Sequence, residues 1–102
     1  MTEVADSTLA SRSRASIATS DGSRYLQQLC KHFRHKLAAD FDEHEGRVTF
    51  PIGEVRLEAD AVTLTITLTT ADDERLAQLQ DIVVRHLVRF AFREELTIDW
   101  VR

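Results

Sequence analysis

The chain has 102 residues, of which 43% are hydrophobic and 29% charged, and its formal net charge is -4. This length and composition indicate one soluble globular domain with a modest core, and they offer neither the basic surface that a nucleic acid requires nor an apolar run long enough to span a membrane. The single cysteine cannot form an internal disulfide, and the N-terminus lacks the pattern of a secretory signal, so we expect a cytoplasmic protein.

The first elements predicted along the chain are a tail, a strand and a helix. Residues 1–13 show no apolar period and are expected to be a flexible N-terminal tail, followed by a single domain over residues 14–102. Apolar and polar residues alternate over residues 14–19, which predicts a short strand. Ser20 and Asp21 can each cap a helix over residues 23–38, where apolar positions recur at spacings of three and four. This apolar stripe consists of Leu26, Leu29, Cys30, Phe33 and Leu37.

Four strands are predicted to follow this helix. Residues 41–45 and 47–50 flank Gly46, which is expected to take the positive φ of a tight hairpin turn. Residues 54–59 and 62–69 alternate between apolar and polar side chains, the pattern of half-buried strands. The opposite, open face of the sheet is expected to carry Asp42, His44, Arg47, Thr49, Glu54, Arg56, Glu58 and a row of threonines at positions 63, 65, 67 and 69.

A second helix and a closing strand complete the predicted order. Thr70 can cap the helix, and the acidic residues of its first turn favour the positive end of the helix dipole. Leu96, Ile98 and Trp100 alternate as in a strand. The order β-α-β-β-β-β-α-β predicts an α+β two-layer sandwich, with both helices on one face of a mostly antiparallel sheet. The predicted core is Leu26, Leu29, Phe33, Leu37, Val55, Leu57, Leu64, Ile66, Leu76, Leu79, Val83, Leu87 and Phe90.

The segment from Leu29 to Lys36 carries the only cysteine and two of the four histidines. Thiol and imidazole groups are ligands of transition metals, which suggests a metal site. On a helix, however, Cys30 falls within the apolar stripe, and His32 lies roughly 160° around the axis from it. Cys30 therefore cannot share one metal ion with both histidines, and we expect a buried, unreactive thiol.

The histidines leave two alternatives open. His32 and His35 are neighbours on the helix surface, where they could contribute two ligands to a metal site or be solvated polar positions. His86 lies at the edge of the second apolar stripe, and it becomes a third candidate ligand if it faces the first helix and approaches His32. The candidate metals are iron and zinc. We identify no catalytic residues, because no nucleophile or acid–base group stands out.

Several segments of the chain together resemble a known family. The most distinctive are residues 29–36, LCKHFRHK, and residues 86–96, HLVRFAFREEL, with shorter matches at residues 13–15, 24–26, 46–50 and 57–59. They resemble the bacterial family called domain of unknown function 2218, from Ser13 to the C-terminus. The resemblance implies a small α+β domain akin to the TATA-box-binding-protein-like fold. Because some members resemble a domain found beside siderophore-interacting flavin reductases, it also implies a link to iron handling.

Two functions follow as hypotheses. The first is a small cytoplasmic binding module for iron or siderophore metabolism, with His32, His35 and His86 as metal ligands and a siderophore-related reductase as partner. The second is a non-enzymatic homodimer that pairs through the open sheet face and its threonine row. An enzyme is the least favoured reading, and neither nucleic acid nor a membrane is an expected partner.

Overall fold

The computed structural model describes residues 10–102, in which five strands and two helices follow one another as β-α-β-β-β-β-α. The elements are β1 (Ser11–Ala18), α1 (Gly22–Arg34), β2 (Ala38–Phe41), β3 (Glu45–Phe50), β4 (Gly53–Ala59), β5 (Thr63–Thr70) and α2 (Asp73–Phe90). The predicted α+β fold class is thus confirmed. Most of the predicted tail lies outside the described residues, and its last part, from Ser11 onward, forms the beginning of β1.

The five strands form one antiparallel sheet in the order β1-β5-β4-β3-β2. Burial alternates along the strands, most regularly in β1, because successive side chains point to opposite faces of the sheet. Both helices cover the same face, which leaves the other face open. Within residues 10–102, neither helix has the length and apolar character needed to cross a membrane.

The core lies between the sheet and the two helices. Ten of the thirteen predicted core residues are buried, whereas Phe33, Leu37 and Phe90 are only partly buried. In α2 the buried stripe is Leu76, Leu79, Val83 and Leu87, as predicted. The N-cap of α2 is Asp72 rather than Thr70: the Asp72 carboxylate accepts a hydrogen bond from the Arg75 backbone N–H at 2.8 Å, and the Thr70 hydroxyl donates to the Asp72 carbonyl instead.

The predicted hairpin turn at Gly46 is wrong. No glycine among the described residues has a positive φ, and Gly46 lies inside β3. The chain turns earlier, where the Asp42 side chain accepts hydrogen bonds from the backbone N–H groups of His44 and Glu45, both at 2.8 Å. A short acidic side chain of this kind satisfies the turn without a glycine. Asp42 and His44 therefore lie in the turn beside the open face rather than on it.

Other predicted boundaries also differ. β2 spans Ala38–Phe41 rather than residues 41–45, because the chain already turns at Asp42. α1 ends at Arg34 rather than at residue 38, so that Leu37 lies in the connection to β2 and His35 is the C-cap residue. The predicted closing strand is reduced to a single antiparallel bridge, in which the backbones of Arg14 and Val101 exchange two hydrogen bonds of 2.8 Å. Through this bridge, the C-terminal segment lies along the outer edge of β1.

Candidate binding site at a histidine–phenylalanine cluster

Five aromatic side chains meet where the C-terminal parts of α1 and α2 lie side by side. We call His32, Phe33, Phe50, His86 and Phe90 the histidine–phenylalanine cluster. The ring centroids of His32 and His86 are 4.9 Å apart, and those of Phe33 and His86 are also 4.9 Å apart. Phe50 and Phe90 contribute edge-on contacts at 5.0 and 5.9 Å to Phe33 and His32. These separations are typical of favourable aromatic pairs.

The sequence places the two histidines at the seam between the helices. His32 is exposed and follows buried Tyr25 by seven residues, so these two side chains share one flank of α1. His86 is half-buried and directly precedes buried Leu87. Each imidazole therefore lies beside an apolar stripe rather than at its centre. His86 faces α1 and approaches His32. This is the condition under which the sequence made His86 a third candidate ligand.

One nitrogen of His86 is already engaged. Its Nδ1 lies 2.7 Å from the backbone carbonyl oxygen of Ile82, four residues earlier in α2. A carbonyl only accepts hydrogen bonds, so this contact favours the tautomer that carries its proton on Nδ1. Nε2 then presents a lone pair, which is the arrangement of a histidine that binds a metal through its second nitrogen.

The pKa of His32 is lowered from its ordinary value. The first cause is the loss of hydration where the ring packs against its neighbours, followed by the positive charges that His86, His35 and Arg89 present. Both causes disfavour the imidazolium form. His32 is therefore kept neutral near pH 7, the state in which imidazole can act as a ligand.

A surface cleft of about 400 Å³ adjoins the cluster. We call it the terminal cleft, and its lining residues are His32, Phe33, His35, Lys36, Leu37 and Phe50. Its walls are formed mainly by aromatic and aliphatic side chains, with imidazole and ammonium groups alongside them. The volume lies within the range of small-molecule sites, and apolar walls with a few polar groups are typical of such sites.

The structure brings His32 together with His86, and it places His35 on the terminal cleft beside His32. In the described part of the chain, however, no three His, Cys, Asp or Glu side chains converge closely enough to hold a metal ion on their own. The arrangement can therefore offer a pair of imidazoles, while further ligands would have to come from the bound species or from movement of the exposed His35 side chain.

Cys30 is buried, as predicted, with none of its surface accessible. Burial raises the pKa of its thiol to about 11, against a smaller opposing effect of Arg34. The neutral thiol dominates at physiological pH, so slow modification in the native state stays our prediction. Gly46 lies against this thiol: a Cβ atom at position 46 would be 2.7 Å from the Cys30 Sγ.

A partly buried polar contact between Tyr25 and Glu94 was not predicted from the sequence. The Tyr25 hydroxyl, on a side chain only 1% exposed, donates a hydrogen bond to the Glu94 carboxylate. The Thr19 hydroxyl donates to the same oxygen at 3.0 Å. Together they attach the segment after α2 to the start of α1. The only available signal was that a tyrosine within a helical stripe needs a polar partner.

Comparison with known proteins gives this fold a family context. The sequence profile of a bacterial family, described as an uncharacterized protein conserved in bacteria (DUF2218), matches residues 14–101. The NMR structure of PA4090 from Pseudomonas aeruginosa is similar, with a TM-score of 0.75 and 32% sequence identity over 88% of this chain and 94% of that chain. Among curated proteins, none matches this chain.

Proposed function

The chain belongs to the bacterial DUF2218 family, and on that premise we propose that it is a small binding module whose ligand site combines the histidine–phenylalanine cluster with the terminal cleft. The observation that carries this proposal is the approach of His32 and His86, from two different helices, to a centroid separation of 4.9 Å. Polar rings at a helix seam beside an apolar cleft are a more specific arrangement than solvated surface histidines.

The ligand we propose is a complex of iron or zinc with an organic chelator. The two imidazoles would contribute nitrogen ligands, with His35 as a third, and the chelator would fill the remaining positions. The phenylalanines and Leu37 offer an apolar wall for the organic part of the complex, and Lys36 offers a positive charge for its anionic groups. α1 and α2 both end near this site, and the partial negative charge of helix C-termini favours a bound cation.

Two observations about the imidazoles support this chemistry. His86 donates from Nδ1 and keeps Nε2 available, and His32 has a lowered pKa that keeps it neutral. Metal binding requires both of these states. A link to iron and siderophore metabolism, with a siderophore-related reductase as partner, is the more specific part of the proposal. This link is supported by the sequence resemblance and by the histidine donors. Co-migration of this protein with a purified siderophore-related reductase on size-exclusion chromatography would test the partnership.

Calorimetric titration with ferrous, ferric and zinc ions, each alone and as a chelate, tests the site in untagged protein. We expect saturable binding that weakens at least tenfold in His32→Ala and in His86→Ala, since either substitution removes one of the proposed imidazole donors. His44→Ala is the matched control, because His44 lies in the exposed turn before β3 and should leave the affinity unchanged. Absence of saturable binding, or equal losses in all three variants, would reject the proposal.

A second candidate is a homodimer formed through the open sheet face. One observation favours it: the β2–β3 end of this face carries Asp40 and Glu45 beside Arg47, and is therefore net negative, whereas the β1 end carries Arg12 and Arg14. A two-fold axis would place opposite charges against each other. Light scattering over a concentration series tests this candidate, and a strictly monomeric protein at high concentration would exclude it.

We also place the protein in the cytoplasm. The single cysteine is a buried free thiol in α1 and cannot form an internal disulfide, which suits a reducing compartment. Fractionation of bacterial cells with an antibody against the protein provides the test, and recovery in the periplasmic fraction would overturn this placement.

A further inference from the structure

The open face of the sheet carries a line of basic residues across the strands. Arg14 in β1 is directly opposite Thr67 in β5, and Thr67 is directly opposite Arg56 in β4. Neighbouring strands lie roughly 4.8 Å apart, so that the two arginines flank the threonine at about 10 Å from each other. Arg12, two residues before Arg14, projects from the same face of β1.

Among residues 10–102, few acidic side chains compensate these positive charges. Within residues 10–102, Arg12, Arg14 and Arg56 form no ion pair, whereas Arg47 pairs with Glu54 at 3.5 Å. Arg56 is also directly opposite Arg47 in β3, and like charges in such positions are destabilising. The arrangement is notable in a chain whose formal net charge is -4.

The arginines surround a hollow of about 360 Å³ on the open face. We call it the arginine hollow, and its lining residues are Arg12, Ser13, Arg14, Arg56, Glu58, Thr67, Val101 and Arg102. Of the lining residues that the structure describes, Glu58 is the only acidic one. The C-terminal segment forms one wall, held in place by the backbone bridge between Arg14 and Val101 and by an ion pair of 2.6 Å between Arg102 and Asp73.

We propose that the arginine hollow binds a small molecule carrying two or more phosphate or carboxylate groups. Guanidinium groups recognise these oxygens through paired hydrogen bonds, and Arg14 and Arg56 can approach an anion from opposite sides. The Thr67 hydroxyl lies between them, partly buried, and can donate a hydrogen bond from the floor. Arg12 lines the same hollow, and this third guanidinium group suits a ligand with at least two anionic groups.

This site is independent of the proposed metal-complex site. The histidine–phenylalanine cluster lies in the layer of the two helices, and the arginine hollow lies on the sheet face that the helices leave open. Loss of one binding activity should therefore leave the other intact, so that the failure of either proposal can be distinguished from the failure of the other.

Titration of the isotopically labelled full chain with inorganic pyrophosphate, followed by NMR at constant ionic strength, is the direct test. We expect saturable shifts centred on the amides of Arg14, Arg56 and Thr67, with tighter binding of pyrophosphate than of phosphate. Citrate in place of pyrophosphate distinguishes a phosphate site from a carboxylate site. Arg14→Gln and Arg56→Gln should each raise the Kd about tenfold, the effect expected for one charge-assisted contact.

Arg85→Gln is the matched control, because it removes the same charge from an exposed position on α2, where Arg85 pairs with Asp81. Its Kd should stay within twofold of the wild-type value. The proposal is overturned if neither pyrophosphate nor citrate gives saturable shifts, or if the control loses as much affinity as the two variants. It is also overturned if the arginine variants convert a dimer into a monomer in light scattering, since the hollow would then serve a second copy of the chain.

Discussion

The two ends of α1 both carry apolar side chains, yet they differ in how completely these are covered. Near the beginning of α1, Tyr25 and Leu26 are 1% and 0% exposed, and Glu94 in the segment after α2 accepts a hydrogen bond from Tyr25. Near the other end, Phe33, Leu37 and the adjacent Phe90 of α2 are only partly buried. The difference arises because α1 ends at Arg34, so that no further helical turn covers these side chains. The closed end stabilises the fold, and the open end leaves apolar surface and two imidazoles for a ligand.

The largest expected effect comes from leucine truncation, which compares the fully buried core with the open end. Leu87→Ala, at a fully buried position, should lower the free energy of unfolding by roughly 2–5 kcal/mol, because it removes buried surface and leaves a cavity. Leu37→Ala at the open end should cost less than half as much, since water and neighbouring side chains can fill the space. Denaturant midpoints of both variants measure this, and equal losses would show that the open end is packed like the core.

A smaller loss of stability is expected from Gly46→Ala, where α1 packs against β3. Gly46→Ala would place a Cβ atom 2.7 Å from the Cys30 Sγ and 3.3 Å from Leu26 Cδ2, which should cost about 1–3 kcal/mol through overpacking. Gly46 has a negative φ, so relief of glycine entropy would otherwise make this substitution favourable. Reversible unfolding of the variant decides which effect is larger.

Cys30→Ala provides the control for this close approach. If the thiol is the obstacle, the Gly46→Ala substitution should cost at least about 1 kcal/mol less in the Cys30→Ala background, a coupling typical of residues in direct contact. An unchanged cost would instead identify Leu26 or Phe41 as the obstacle and would show that the cysteine can move.

Cys30 and Gly46 also show which features of the fold can be predicted from the sequence and which cannot. Periodicity alone predicted buried Cys30, because a stripe position depends only on spacing along the helix. Gly46 was misread as a turn residue, because the reason for it is the distance between α1 and β3, which no local pattern records. The same limit applies to the cluster: His32 and His86 could be named as candidates, but their approach depends on how two helices lie on the sheet. Phe50 was missed there because it comes from a strand end.

The Tyr25 contact offers a further test of the closed end. Tyr25→Phe should cost about 1 kcal/mol, the typical loss for one hydrogen bond, because the exposed Glu94 can be solvated while Thr19 still binds it. The pKa of Tyr25 is raised from 10.0, first by burial and then by the hydrogen bond to Glu94. Above pH 10 the unfolded tyrosine therefore loses its proton before the folded one does, and stability should fall with rising pH.

Urea unfolding between pH 8 and pH 11 measures this slope. The chain has one tyrosine, so Tyr25→Phe removes the whole tyrosine contribution. Because the raised pKa of Cys30 acts in the same direction, both proteins should carry Cys30→Ala. An identical slope with and without the tyrosine hydroxyl would contradict the assignment.

The smallest expected effect belongs to His32 at the open end. Its lowered pKa means that the unfolded chain takes up a proton at this position more readily than the folded chain does. As the pH falls from 7.5 to 5.5, this difference should favour unfolding, so the stability contributed by neutral His32 is present above the ordinary histidine pKa and is lost below it. The neighbouring groups that present positive charge to the ring are His86, His35 and Arg89.

His32→Gln should therefore reduce the loss of stability between pH 7.5 and pH 5.5, whereas His44→Gln, in the exposed turn, should leave it unchanged. The lowered pKa values of Asp42 and Asp73 do not interfere, because those carboxyl groups titrate below their ordinary value of 3.8. Chelator in the buffer removes any contribution from bound metal. If the His32 variant loses as much stability in acid as the wild-type protein, the imidazole pair does not resist protonation, and the electrostatic argument for a neutral ligand at the open end fails with it.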